Sequence, residues 1–302
     1  MDSKVIALAG GSGALGTLIA ERVLARPDTT LRLLVRPGSR GKVAELERRG
    51  AQIVEGELGK DAGELAAFVD GASTVVSAVQ GGPDVIIDGQ AALLRAARAA
   101  GVARFIPSSF SLDLFKVPEG QIPSSDWRRQ FGELADEQRG EVEVVHVLNG
   151  TFLDRSLLFY WYRVIDPATQ TAYIWGDGDQ QVDFTTYLDT ARYAVEVAVD
   201  DQPVGRVFPV VGDRLSFRDL YAVYEKATGT TLRVERLGSM ADLDARIAEL
   251  AAGGFENFMQ YLPLMYVRSS FNGDGKLDQV HNDRYPSIVP TNAEQYFGTD
   301  NG

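Results

Sequence analysis

The sequence predicts an α/β protein: a doubly wound parallel sheet with a smaller carboxy-terminal lobe woven into it. Three observations carry that prediction. Apolar runs alternate with helical-period segments through the first half of the 302 residues. A glycine-rich run, Gly10-Gly11-Ser12-Gly13-Ala14-Leu15-Gly16, stands between an apolar run and such a segment. No low-complexity linker, charge run or internal repeat separates the two halves.

In order, the pattern predicts a strand over Val5–Ala9, a helix to about Ala25, a strand over Leu31–Val35 and a helix to Arg49. A strand over Gln52–Val54, a short helix near Leu65, a strand over Thr74–Val79, a helix over Val85–Ala100 and a strand over Arg104–Ile106 follow. Such alternation favours right-handed crossovers and places ligands beyond the carboxyl ends of the strands.

At the first of those ends, glycine permits a tight turn, close approach of backbone to a pyrophosphate and close packing of helix on strand. The helix start offers free N–H groups to the phosphates. Gly10, Gly11, Ser12, Gly13, Ala14, Leu15 and Gly16 are therefore the expected pyrophosphate contacts, against the alternative of a merely structural turn. Arg36 follows the second strand, 20 residues after Gly16, where a dinucleotide enzyme without a 2′-phosphate to bind places an acidic residue. Here Arg36, Ser39, Arg40 and Lys42 supply cations and a hydroxyl instead, which predicts NADP(H). Ser77, Val79 and Gln80 after the fourth strand and Pro107, Ser108 and Ser109 after the fifth complete the expected cofactor contacts from the amino-terminal half.

Gly-Gly-Ser-Gly-Ala-Leu-Gly, the Leu-Val-Arg-Pro ending at Pro37, and the run Arg104-Phe105-Ile106-Pro107-Ser108-Ser109-Phe110 together resemble the NmrA-like and isoflavone-reductase-like branch of the atypical short-chain dehydrogenases/reductases. The resemblance continues in Leu148-Asn149-Gly150-Thr151-Phe152, in Trp175-Gly176-Asp177-Gly178 and in Asn282-Asp283-Arg284-Tyr285-Pro286. It implies a Rossmann sheet, places Arg104–Phe110 beside the nicotinamide, and adds Asn149 and Phe152 to the cofactor contacts. Reductases of this family carry a lysine on the helix after that run. Counting back from Phe152 puts its position near Gln130, and no lysine lies between Lys116 and Lys226. A Tyr-x-x-x-Lys pair is absent too. Arg128 and Arg129 are the neighbouring cations; an arginine holds its proton too tightly for acid/base work but can bind a carboxylate or polarise a carbonyl. Arg129 is the candidate for a direct role, the alternatives being a solvent-facing or helix-capping pair.

Further along, Glu141–Leu148 reads as a strand with His146 as a hydrogen-bonded core residue. The aromatic run from Phe152 to Tyr162 could wall a pocket, fill a core or form a subunit contact; Phe110, Phe152, Tyr160 and Trp161 are the expected substrate contacts. Trp175–Asp179 reads as a turn, Tyr187–Val199 as an amphipathic helix, Arg206–Val211 as a strand, Ser216 as a helix cap and Ala241–Ala252 as a helix before aromatic-rich irregular chain. Asn272–Asp278 imitates a calcium loop but has glycine fourth instead of sixth and no closing glutamate, so no metal is expected. The expected nucleotide-binding unit is 1–155 with about 182–213, and the substrate lobe about 156–181 with 214–302.

A net charge of −12 opposes binding to nucleic acid. No apolar run reaches the roughly 20 residues of a membrane span. The chain has no cysteine and only two histidines, which excludes thiol chemistry and suits a reducing cytoplasm. The activity expected is reduction of a small aromatic or conjugated carbonyl, quinone or alkene by NADPH. The alternative is a redox-sensing regulator that binds NADP(H) without turnover and relays its state to a protein partner. A homodimer is a further possible assembly.

Overall fold

Val5–Ala9 has no polar side chain and sits at the centre of the fold, where both faces of a parallel sheet are covered. The structure, a computed structural model, describes residues 3–299, so the outermost ends of the two expected units (1, 2 and 300–302) lie outside the described residues. Strands β1 (Lys4–Ala9), β2 (Thr29–Val35), β3 (Gln52–Glu55), β4 (Thr74–Ser77), β5 (Arg104–Ile106) and β6 (Glu143–Val144) form one parallel sheet in the order β3-β2-β1-β4-β5-β6. Helix α1 (Ala14–Leu24) buries Leu15, Ile19, Ala20 and Val23 against one face together with α6 (Tyr187–Val199). On the other face lie α3 (Ala62–Val69) and α4 (Gln90–Ala99), with α5 (Pro123–Gln138) contributing Phe131 and Ala135; α2 (Ala44–Arg48) is short and peripheral.

The expected strand Glu141–Leu148 is divided. Val145 N–H donates to Phe105 O, whereas His146 N–H donates to Arg206 O. β5 ends before Pro107, which has no N–H to continue a ladder, so β7 (His146–Leu148) changes partner to β12 (Val207–Pro209) in parallel register. β4 likewise stops at Ser77, leaving Val79 and Gln80 in the loop beyond it.

The second lobe is built from chain that leaves and re-enters the first. β8 (Thr151–Phe152) pairs with β11 (Val182–Thr185), which pairs antiparallel with β13 (Asp213–Leu215). β10 (Thr171–Trp175) lies between β9 (Ile165–Asp166) and β14 (Arg233–Gly238). Helices α7 (Phe217–Thr228) and α8 (Met240–Ala251) each begin with a serine capping box, Ser216 with Asp219 and Ser239 with Asp242. The aromatic-rich chain after residue 252, expected to be irregular, is helix α9 (Phe258–Asn272). Pro263 lies inside it without breaking it; burial of Tyr261, Leu262, Val267 and Phe271 offsets the lost backbone bond. A short α10 (Ala293–Gly298) closes the lobe, burying Ala293 and Phe297. Among the described residues, no helix is long and apolar enough to cross a membrane.

Candidate active site

The loop from β1 to α1 folds back on itself. Gly13 N–H donates to Gly10 O at 3.1 Å, and Thr17 bonds to Gly13 O and, through its hydroxyl, Gly11 O. Gly10 has φ +90° and lies against the β4 loop, so that a Cβ there would stand 2.5 Å from Ala78 O. Ser12, Gly13 and Ala14 are exposed, and Leu15 and Gly16 are buried. The N-cap Gly13 contributes no side-chain bond and the first turn has no acidic residue, so the amino end of α1 keeps free donors and its positive potential. This bare concave corner fits a pyrophosphate.

One strand over, the four residues expected at a 2′-phosphate divide. Arg40 is spent: its guanidinium pairs with Glu47 and lies 3.9 Å from Glu55. That pairing holds Arg40 above, and Glu47 below, its ordinary range. Arg36 and Lys42 are exposed and carry no ion pair among the described residues. Ser39 N–H donates to Arg36 O and Lys42 N–H to Ser39 O, so one turn presents all three. The donor set suits a phosphomonoester more than a bare ribose.

The carboxyl ends of β4 and β5 join. Ser108 Oγ donates to Val79 O at 2.6 Å, and Ser108 N–H to Gln90 Oε1 at 2.8 Å. Arg128 Nε donates to Ser108 O at 2.8 Å and its Nη1 to Ser124 O at 2.7 Å, tying α5 to this loop. Gln80 is exposed in the crevice and Val79 half-buried, while Ser77 is buried with its hydroxyl unpartnered. Ser109 turns inward and bonds to His146 Nδ1 at 2.8 Å. His146 is fully buried, edge-on to Phe115 at 5.1 Å, and burial with the nearby Arg206 charge lowers its pKa to about 3. It is a core residue, as the sequence suggests. Asn149 is also buried, its side-chain amide unpartnered, and its N–H donates to Ser111 O. Phe152 stacks on Tyr187 at 4.1 Å.

Aromatic residues gather beside the Pro107–Leu112 loop. Trp161, Phe258 and Tyr266 pack on Leu112, Val117, Ile122 and Leu262, while Phe110, two residues before Leu112, is buried in the core of the first lobe. Tyr160, by contrast, is 75% exposed on the outside of a wide turn, away from its expected place in a wall. Leu158 and Phe159 of the same turn fill the core of the second lobe.

Comparison with known proteins agrees with this arrangement. The NmrA-like family model matches residues 2–126. An isoflavone reductase homolog from Zea mays is 29% identical over 243 residues, spanning 78% of this chain and 77% of its own. A bifunctional pinoresinol-lariciresinol reductase from Linum perenne is 25% identical over 320 residues, 97% of each chain. The chain is thus similar to the NmrA-like family over residues 2–126 and to isoflavone-reductase-type proteins over most of its length. Among solved structures, the binary complex of leucoanthocyanidin reductase with NADPH from Vitis vinifera has a TM-score of 0.81 at 22% identity, covering 98% of both chains, and confirms the fold.

Against the isoflavone-reductase-like pattern, the basic residues of α5 are arranged in a way the sequence did not disclose. Gln130, at the counted lysine position, is exposed on the helix. Arg129 is bound up in structure: it donates to Val117 O at 2.6 Å, approaches Leu114 O at 3.4 Å and pairs with Asp126. Arg128 is the arginine that reaches the β5 loop. Tyr266 was missed altogether, because α9 was read as irregular; its hydroxyl meets Ser124 Oγ at 2.8 Å. A helical reading of Phe258, Leu262, Met265 and Tyr266, all on the i, i+4, i+7, i+8 stripe, would have found it.

Proposed function

We propose that the protein is an NADPH-dependent reductase acting on a small aromatic or conjugated substrate. The observation that carries this reading is the pairing of an uncapped glycine corner with two unneutralised cations, Arg36 and Lys42, one strand away. When bound, NADPH would supply a hydride. Gly10–Gly16 would hold its diphosphate, Arg36, Ser39 and Lys42 its 2′-phosphate, and the Ser77–Gln80, Pro107–Ser109 and Asn149–Phe152 loops would flank the remainder. Trp161 and the surrounding aromatic cluster would form the apolar wall for a flat substrate. The relatives support the substrate class: among them are an isoflavone reductase from Pisum sativum and pinoresinol-lariciresinol reductases. The corresponding division of the chain is 1–155 with 182–213 for the nucleotide and the remainder for the substrate. With no cysteine to protect, the protein suits a reducing cytoplasm.

The test is to mix the protein and NADPH with aromatic enones, quinones and aldehydes and follow cofactor absorbance. Consumption that depends on one substrate class supports the reductase. Saturable NADPH binding with no consumption across the panel overturns it in favour of a nucleotide sensor.

A further inference from the structure

Arg128 is a half-buried guanidinium without a counter-ion. Its Nε and Nη1 donate to the carbonyls of Ser108 and Ser124, and Nη2 has no partner among the described residues. Carbonyls satisfy N–H groups but leave the charge unbalanced. Two other arginines near this end of the sheet differ: Arg129 pairs with Asp126 and the buried Arg104 with Glu143. The one carboxylate in the first turn of α5, Asp126, is already engaged by Arg129 and Gly120 N–H. Holding a cation out of water without a carboxylate is costly, and the cost is recovered when an anion arrives.

The position of this charge is fixed by a continuous set of contacts along the crevice. Gly10 touches Ala78, Ser108 bonds to Val79, and Arg128 bonds to Ser108. Ser124, which holds Nη1 through its carbonyl, holds the Tyr266 hydroxyl through Oγ at 2.8 Å. A guanidinium and a phenol thus converge on one residue at the edge of the Leu112, Trp161, Phe258 and Leu262 cluster.

We infer that Arg128 and Tyr266 form an oxyanion subsite for an oxygen carried on the aromatic substrate, and that the Tyr266 hydroxyl is the proton donor to that oxygen. This rests on the reductase reading. NADPH, when bound, would supply the hydride to the substrate carbonyl carbon; the fixed Arg128 charge would stabilise the negative charge that the carbonyl π pair brings to the oxygen. The proton of Tyr266 Oη passes to that oxygen, and the phenolate left behind regains a proton from water through Ser124 Oγ. Arg128 supplies charge in this step, and the proton comes from Tyr266 alone.

The probe is 4-nitrophenol, whose absorbance reads its own ionisation, titrated with and without NADP⁺. The wild-type protein should bind the phenolate in preference to the phenol, lowering the apparent pKa of the bound probe by about one unit, a tenfold preference. Arg128→Met should abolish the shift, Arg128→Lys should keep part of it, and Tyr266→Phe should weaken phenolate binding about tenfold. Gln130→Ala, exposed on the same helix, should change nothing. No saturable binding, no preference for the phenolate, or a shift that survives Arg128→Met overturns the subsite; unchanged affinity in Tyr266→Phe overturns the role of the tyrosine. Because the readout needs no turnover, it stands apart from the reductase assay: a protein that fails to consume NADPH yet shows the shift retains the subsite and loses the reductase.

Discussion

A methyl group built on Gly16 would sit 2.0 Å from the carbonyl oxygen of Gly10. The first turn of α1 is therefore packed directly on the backbone of the loop before it, and the loop in turn lies against Ala78 O. Gly16→Ala must push that corner open. It should weaken NADPH at least about tenfold, the loss of one charge-assisted contact, while the circular dichroism of the folded protein is retained. Calorimetric titration checks it; undiminished affinity would show that the corner does not hold the diphosphate.

Arg36 and Arg40 are four residues apart and have different fates. Arg36→Ala should weaken NADPH by about 1.5–3 kcal/mol while leaving NADH nearly unchanged, since its guanidinium has no other partner among the described residues. Arg40→Ala should have little effect on either nucleotide, because its charge is already met by Glu47. Comparing the two dissociation constants in each variant decides the point. Equal losses for NADPH and NADH in Arg36→Ala would remove this residue from 2′-phosphate recognition.

The arginine that opens β5 does a different job. Arg104 is buried, bonds Glu143 at 2.6 Å, and donates to the carbonyls of Val197, Asp200 and Gln202. Glu143 accepts from Val204 and Gly205 N–H, which with Arg104 holds its carboxyl below the usual range in spite of burial. Arg104→Ala leaves these groups unpaired and should cost about 3–5 kcal/mol of stability, read as a lower urea midpoint with nucleotide affinity of the folded fraction unchanged. A midpoint equal to wild type would contradict the network.

His146 makes stability depend on acid. Its folded pKa is lowered to about 3, chiefly by burial, whereas an exposed histidine titrates near 6.5. Between those values the unfolded chain takes up a proton that the folded one refuses, so this group costs stability as pH falls below about 6.5, by about 1.4 kcal/mol per unit. His146→Gln keeps a hydrogen-bonding group for Ser109 and cannot titrate. Its urea unfolding free energy should fall less between pH 7 and pH 5 than that of the wild type; identical pH slopes would refute the assignment.

The sequence by itself determined the sheet, the glycine corner and the cationic turn after β2. These are local: a strand, a glycine turn and a helix start lie within a dozen residues, and period and glycine content declare them without knowledge of what packs against them. Even β5 was placed over Arg104–Ile106 as observed. Tertiary structure decided which of several like residues is free to act. Arg40 and Arg129 are neutralised by Glu47 and Asp126, and Arg128 meets only carbonyls. Ser109 faces a histidine 37 residues away, and Tyr266 meets Ser124 across 142 positions. Periodicity places a side chain on a face, but its charge is met or left unmet by distant chain, and only packing brings that chain near.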